Sequence, residues 1–307
     1  MVSTTQASGP TLGDTLKVYL ELTKPRIVIL LVFTCVASMI VAANGVPNIT
    51  TLLATILGGT LASGGSGAMN QYIDREMDAK MMRTARRPIP SGRIKPINAL
   101  LFGIALIAWS VLILGVWVNW LTALLAFIGA IYYVVLYTLI LKRNTVMNIV
   151  IGGGAGAIPT LVGWAAVNNS LSLEAFILFA IVFYWTPPHS WALALLVNKD
   201  YTEAGVPMMP VRNGEESTRY QILLYSIQLV IVTLLPVVLI FLPGPEMLGW
   251  FYLICALVLG IGMIYKSVAL IKVADKAMAR STYKYSSAYL AFIFLAMMID
   301  RLLFSLS

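Results

Sequence analysis

Charge is what this chain has least of. Of its 307 residues only 11% are Asp, Glu, Lys or Arg, while 59% are hydrophobic and the mean hydropathy is +0.86. Soluble domains carry roughly 25% charged residues, so the composition excludes one and indicates a polytopic membrane protein. Histidine occurs once, at His189, and cysteine twice, at Cys35 and Cys255, both inside apolar runs and without Cys-x-x-Cys spacing. The cysteines therefore read as small packing residues, not as a disulfide or a metal site. No G-x-x-x-x-G-K-[ST], H-E-x-x-H or G-x-S-x-G pattern occurs, which leaves P-loop nucleotide hydrolysis and zinc proteolysis without support. The first 16 residues, rich in Ser, Thr and Gly, read as a disordered lead with no Arg-rich amphipathic pattern. With no linker in view, residues 1–307 are expected to form one domain.

What is present is a series of apolar runs. A helix needs about 20 mostly apolar residues to cross the hydrocarbon core. Nine stretches qualify, at 26–43, 49–69, 98–117, 120–141, 146–167, 173–197, 219–241, 248–270 and 286–305. Trp117 and Trp120, around Asn119, mark an aromatic belt between the third and fourth. The sequence thus predicts an all-α integral membrane bundle of nine transmembrane helices. The alternate connectors and termini on one side collect 20 of the 21 Lys and Arg residues, leaving only Arg301 at the far end. Cytoplasmic loops carry such an excess, so the N-terminus is expected in the cytoplasm and the C-terminus outside. The opposite connectors, "NGVPN", "VNNSLSLE" and "LPGPE", hold no basic residue, so function belongs to the basic face. The net charge of +8 reads as topology and the anionic lipid bilayer, with a role in holding an anionic substrate open to some of the same residues, and no nucleic acid is expected.

Against that background "NQYIDREMD", residues 70–78, crowds three carboxylates onto a helix end. At about 100° per residue, Asn70, Asp74 and Asp78 share one face, and Glu76 points elsewhere. Two aspartates one turn apart at a negative helix terminus repel, so a cation must sit between them. An ordinary solvated end, pairing Asp74 with Arg75 and Asp78 with Lys80, is the alternative. The loop that follows supplies Arg83, Arg86, Arg87 and Arg93 around a proline-stiffened turn. Arginine forks bind phosphate bidentately, and Mg2+ prefers carboxylate oxygens shared with substrate phosphates. Acidic ligands followed by arginines therefore describe a metal–diphosphate site.

A second polar cluster, Asn198, Lys199, Asp200, Tyr201 and Glu203, ends the sixth span at the same face. The second and sixth spans run in the same direction four helices apart, so the two patches can face across one cavity. His189 lies two to three turns inside, after Pro187 and Pro188, which are expected to kink or break the helix. It reads as a hydrogen-bonded structural residue, a metal contact or a proton-handling group. The runs "GGTLASGGSG" and "IGGGAGAIP" suit close helix packing.

These residues resemble a known family. "NQYIDREMD" is similar to the N-x-x-x-D-x-x-x-D motif of the UbiA-type intramembrane prenyltransferases. "TKPR", "MRTARRPIPSGR", "WTPPHSWALAL" and "KDYTEAGVPMMPV" resemble its haem-modifying branch, and the likeness runs from about residue 20 to about residue 305. The resemblance implies nine helices around a central cavity, with farnesyl diphosphate and haem b as substrates and Mg2+ as cofactor. It further implies farnesyl transfer to a haem vinyl group with addition of water, in a bacterial cytoplasmic membrane, beside a haem A synthase or a terminal oxidase assembly. Asn70, Asp74, Asp78 and Asp200 would hold the metal. Arg83, Arg86 and Arg87 would lie beside the diphosphate, and Lys199, Tyr201, Glu203 and His189 would complete substrate binding. His189 becomes a candidate contact for haem iron, and Tyr132, Tyr133, Tyr137, Tyr184 and Trp185 candidate lining. A prenyltransferase for an aromatic quinone precursor and a membrane transporter are the competing readings.

Overall fold

The computed structural model describes residues 11–238 and 247–304. The described chain is helical: α1 (Leu12–Leu22), α2 (Pro25–Ala43), α3 (Ile49–Ile73), α4 (Arg75–Lys80), α5 (Pro96–Trp117), α6 (Trp120–Ile131), a π-helix (Tyr132–Leu141), α7 (Lys142–Asn144), α8 (Asn148–Asn168), α9 (Leu173–Leu196), α10 (Asn198–Glu203), α11 (Met209–Val238), α12 (Trp250–Val273) and α13 (Lys276–Phe304). Among the described residues nine helices are long and apolar enough to cross a membrane, with α6, the π-helix and α7 counted as one. The connector "LPGPE" and the last residues expected in the seventh and ninth spans lie outside the described residues.

Local chemistry sets the ends. Pro25 and Pro96 occupy first turns, where a missing N–H costs nothing. The Asn48 side chain accepts from the amides of Thr50 and Thr51, and Asn119 accepts from the amide of Thr122 while donating to the Ala165 carbonyl at 2.8 Å. Trp117 and Trp120 are exposed at that turn, as an aromatic belt requires. Small residues let helices close up: a Cβ on Gly163 would lie 2.2 Å from the Cys35 carbonyl oxygen, so α8 and α2 touch backbone to backbone there. The main core gathers Leu178, Trp185, Tyr252, Tyr289 and Phe294, from α9, α12 and α13.

Four expectations change. Residues 12–16 are not a disordered lead but the start of α1, where the Thr11 hydroxyl and Asp14 carboxylate form a reciprocal cap; residues 1–10 lie outside the described residues. α3 bends at Asp74 (φ −85°, ψ 1°) instead of running through residue 78, although Asp74 N→Asn70 O (2.9 Å) and Asp78 N→Asp74 O (2.7 Å) preserve the one-turn spacing. α9 runs unbroken through buried Pro187 and Pro188. α11 begins at Met209 with a kink at Gly214 (φ 82°), and α13 begins at Lys276. Both project polar helix beyond the apolar window by which the spans were drawn.

Candidate functional site

The first acidic motif is buried. Asp74 is 0% and Asp78 2% exposed, which excludes the solvated helix end. Neither uses the neighbour that reading assigned. Lys142 meets Asp74 Oδ2 at 2.5 Å, Arg143 lies 3.6 Å from Asp74 Oδ1, and Arg87 meets Asp78 Oδ2 at 2.7 Å. Asn70 donates through its Nδ2 to Asp74 Oδ2 (2.9 Å) and Thr138 Oγ1 (3.0 Å), and its Oδ1 accepts from the Lys24 ammonium. In the sequence Lys142 and Arg143 read only as topology signals, and Lys24 as that and as part of "TKPR", none of them as a site residue.

The neighbouring segments aim these groups. Gln71 donates to the carbonyls of Glu21 and Leu22, both at 3.1 Å, and so fastens the end of α1 over α3. Arg93 bridges the Glu21 carboxylate (2.7 Å) and the Arg86 carbonyl (2.8 Å), which closes the loop after α4 against α1. That bridge holds the Glu21 carboxyl below its ordinary value. Lys24 follows in a left-handed conformation (φ 55°) that turns its ammonium inward. Burial, reinforced by Arg87 and Lys142, brings that ammonium down to about 7 against the pull of Asp78 and Asp74. Three cations, Lys142, Arg143 and Arg87, thus surround two carboxylates with the Lys24 amine beside them, and the site has positive charge to spare.

The π-helix supplies the opposite wall. It carries Tyr133 and Tyr137 in a stack, ring centres 5.5 Å apart, with the Lys24 ammonium 5.8 Å from the Tyr133 ring centre. π-Helical turns concentrate at functional sites, and nothing in the residue pattern of 132–141 announced this one. Behind the tyrosines lies an apolar cavity of about 510 Å³, running from Lys24 past Leu31, Ser66, Gly153 and Trp185 to His189. Its volume is that of a small-molecule site.

The second cluster is divided. Tyr201 is buried beside Met81 and Met208; burial raises its hydroxyl's pKa, and the site cations Arg83, Lys142 and Arg87 all act on it. Asp200 is half-buried on the same short helix and forms no ion pair among the described residues. Lys199 and Glu203 are not brought to the cavity. They are exposed, 3.8 Å from each other, because positions one turn apart on α10 share its outer face. Arg86 is exposed as well, and Arg83 reaches the site only at its edge. His189 is sandwiched between Trp185 and Tyr283, with ring centres at 4.3 and 4.7 Å, and its Nδ1 lies 2.9 Å from Ser286 Oγ.

The donor set suits a hard divalent cation. Asp74 Oδ1 is buried without a hydrogen bond, since the 3.6 Å to Arg143 is ion-pair distance only. Carboxylate and amide oxygens are ligands of the type Mg2+ takes. Among the described residues no three His, Cys, Asp or Glu converge, so a metal here must share its ligands with a substrate.

Comparison with known proteins agrees with this geometry. The model of the UbiA prenyltransferase family matches residues 30–296. The chain belongs to that family. Within it, the chain is 48% identical over 303 residues to the protoheme IX farnesyltransferase of Gloeobacter violaceus, covering 98% of this chain and 97% of that one. It is 50% identical to the Symbiobacterium thermophilum protein of the same name, at 94% and 95% coverage. A third, from Roseiflexus castenholzii, is 49% identical over 94% of this chain but only 53% of its own length. The chain thus spans about half of that relative. Among solved UbiA-fold structures, one of digeranylgeranylglyceryl phosphate synthase superposes with TM-score 0.77 at 22% identity, covering 94% of this chain and 99% of that one. An Archaeoglobus fulgidus UbiA homologue bound to DMAPP and Mg2+ gives 0.64 at 16% identity, over 91% and 98%. As a UbiA-family protein with nine apolar helices, the chain is a multi-pass membrane protein.

Proposed function

We propose that the protein is a haem farnesyltransferase: it joins the farnesyl group of farnesyl diphosphate to a vinyl group of haem b, with addition of water. The observation that carries this reading is the surplus of cations, Arg87, Lys142 and Arg143 with Lys24, around two buried carboxylates, where Lys24 opens onto the apolar chamber. Two carboxylates leave that surplus uncancelled, and a diphosphate would cancel it. The relatives that share half of its residues bear the farnesyltransferase name, and the chamber holds the chain's single histidine.

Asn70, Asp74 and Asp78 would hold Mg2+ together with the substrate's diphosphate oxygens; Asp200, which forms no three-carboxylate group with them among the described residues, would join only through that substrate. Bound there, the ion neutralises charge that develops on the departing diphosphate. Arg87, Lys24 and Lys142 grip the same oxygens, and because their partners fix them before the reaction they stabilise that charge without reorganising, with Arg83 closing from the edge. The C–O bond of the farnesyl diphosphate breaks, leaving an allylic cation. The stacked faces of Tyr133 and Tyr137 stand where such a cation would lie. The terminal vinyl carbon of the haem supplies the electron pair for the new C–C bond. Water adds at the other vinyl carbon and releases a proton. Until then, the apolar walls keep water from the cation. We place the basic end, and with it the site, at the cytoplasmic face of a bacterial inner membrane, and read residues 1–307 as a single unit.

The test is purified protein in detergent with farnesyl diphosphate, Mg2+ and haem b. Mass spectrometry should show a haem heavier by a farnesyl and a hydroxyl group. Absence of that product, with prenylation of an aromatic acid instead, would overturn the haem assignment.

A further inference from the structure

His189 lines the same chamber as Lys24, and its surroundings are more specific than packing requires. The ring is held on both faces, by Trp185 at 4.3 Å and Tyr283 at 4.7 Å between ring centres, which fixes its plane. Its Nδ1 meets the fully buried Ser286 hydroxyl at 2.9 Å. The same serine accepts the Trp185 indole N–H on its backbone carbonyl at 2.6 Å, so one residue of α13 anchors both members of the stack on α9. The serine's own proton has an acceptor in its helix, the Tyr283 carbonyl at 2.8 Å. With that proton so placed, an oxygen lone pair faces Nδ1, the arrangement that favours the imidazole proton on Nδ1. Which nitrogen of a histidine binds a metal is set by the hydrogen bond that the other makes. Here Nε2 is left with its lone pair. Among the described residues the ring's one hydrogen bond is that of Nδ1, and His189 lines the cavity.

We infer that Ser286 is a positioning residue for the haem substrate: it holds His189 as the Nδ1–H tautomer so that Nε2 ligates the haem iron. This rests on the haem reading above and adds to it an iron ligand. Ligation by Nε2 would fix the position of the haem in the chamber that Tyr133 and Tyr137 also line. The Trp185 and Tyr283 rings then act as a clamp on the ligand, not as a stacking surface for the porphyrin.

Because His189 is the only histidine, an iron–imidazole vibration in the haem complex has a single possible source in a protein prepared without a polyhistidine tag. The experiment is resonance Raman spectroscopy of the ferrous haem b complex, with haem titration, for wild type, His189→Ala, Ser286→Ala and Ser286→Thr. The wild type should show the iron–imidazole band and His189→Ala should lose it. Ser286→Ala should keep the band at lower frequency, because the imidazole has lost its acceptor, and should bind haem about 10–100-fold more weakly. Ser286→Thr should restore both. A wild-type complex that binds and farnesylates haem without the band would overturn this inference and leave the farnesyltransferase reading intact. So would Ser286→Ala with band and affinity unchanged. A wild type that fails to bind haem would overturn both.

Discussion

Replacing Lys142 with methionine separates what the acidic motif needs for folding from what it needs for chemistry. Lys142 meets Asp74 Oδ2 at 2.5 Å, where the carboxylate is 0% and the lysine side chain 13% exposed. Removing one partner of a buried pair costs about 3–5 kcal/mol, because the other charge is left uncompensated. Asp74 keeps the Asn70 amide at 2.9 Å and Arg143 at 3.6 Å, which places the loss below that range, at roughly 2 kcal/mol. Adding Asp74→Asn removes the orphaned charge, so Asp74→Asn/Lys142→Met should recover most of that stability. Turnover should behave differently. Losing a preorganised donor to a developing anion lowers the rate by about 10²–10³, and the double variant cannot regain it. Unfolding in detergent followed by helical circular dichroism, beside diphosphate release from farnesyl diphosphate, measures both. A single variant as stable and as active as wild type, or a double variant no more stable than the single, would refute the argument.

Three further outcomes are expected. Lys199→Ala/Glu203→Ala should leave diphosphate release unchanged and shift stability by less than about 1 kcal/mol, since both side chains are exposed; a large loss of turnover would return the pair to the site. Gly163→Ala should destabilise by about 3 kcal/mol in the same unfolding assay, because its Cβ would meet the backbone of α2, whereas Gly156→Ala, with nothing within 4 Å, should be neutral. The Arg93 bridge depresses the Glu21 pKa, so its contribution is present above the unfolded value of about 4.3 and is lost as pH falls through the lower folded one. Both partners are more than a third exposed, so Arg93→Ala should cost under about 1 kcal/mol at neutral pH and nothing at pH 2; an equal cost at both would show that the arginine acts through packing instead.

The long apolar runs and the four-residue spacing of Asn70, Asp74 and Asp78 were legible because period and hydropathy are properties of the chain itself. The cations that complete the site were not. Lys24 and Lys142 stand 118 positions apart in the sequence, and in a membrane protein any lysine at a helix end already has an explanation in topology. Tyr133 and Tyr137 were visible as aromatics one turn apart, but residue types do not announce the π-helical register that carries them. Lys199 and Glu203 failed as site residues for the converse reason: proximity to Asp200 in sequence says nothing about which side of α10 faces the chamber. α1 could have been read. Thr11 and Asp14 form a capping pair three residues apart, obscured by the small polar residues in front of it.

Lys24 occupies a left-handed backbone conformation that glycine tolerates and a lysine resists by about 1 kcal/mol. Its ammonium is also crowded by Arg87 and Lys142. Both penalties would vanish in Lys24→Gly, so that variant should unfold later than the wild type while releasing diphosphate far more slowly. If so, the hinge between α1 and α2 is a point where the sequence has kept an enzyme less robust than its fold permits.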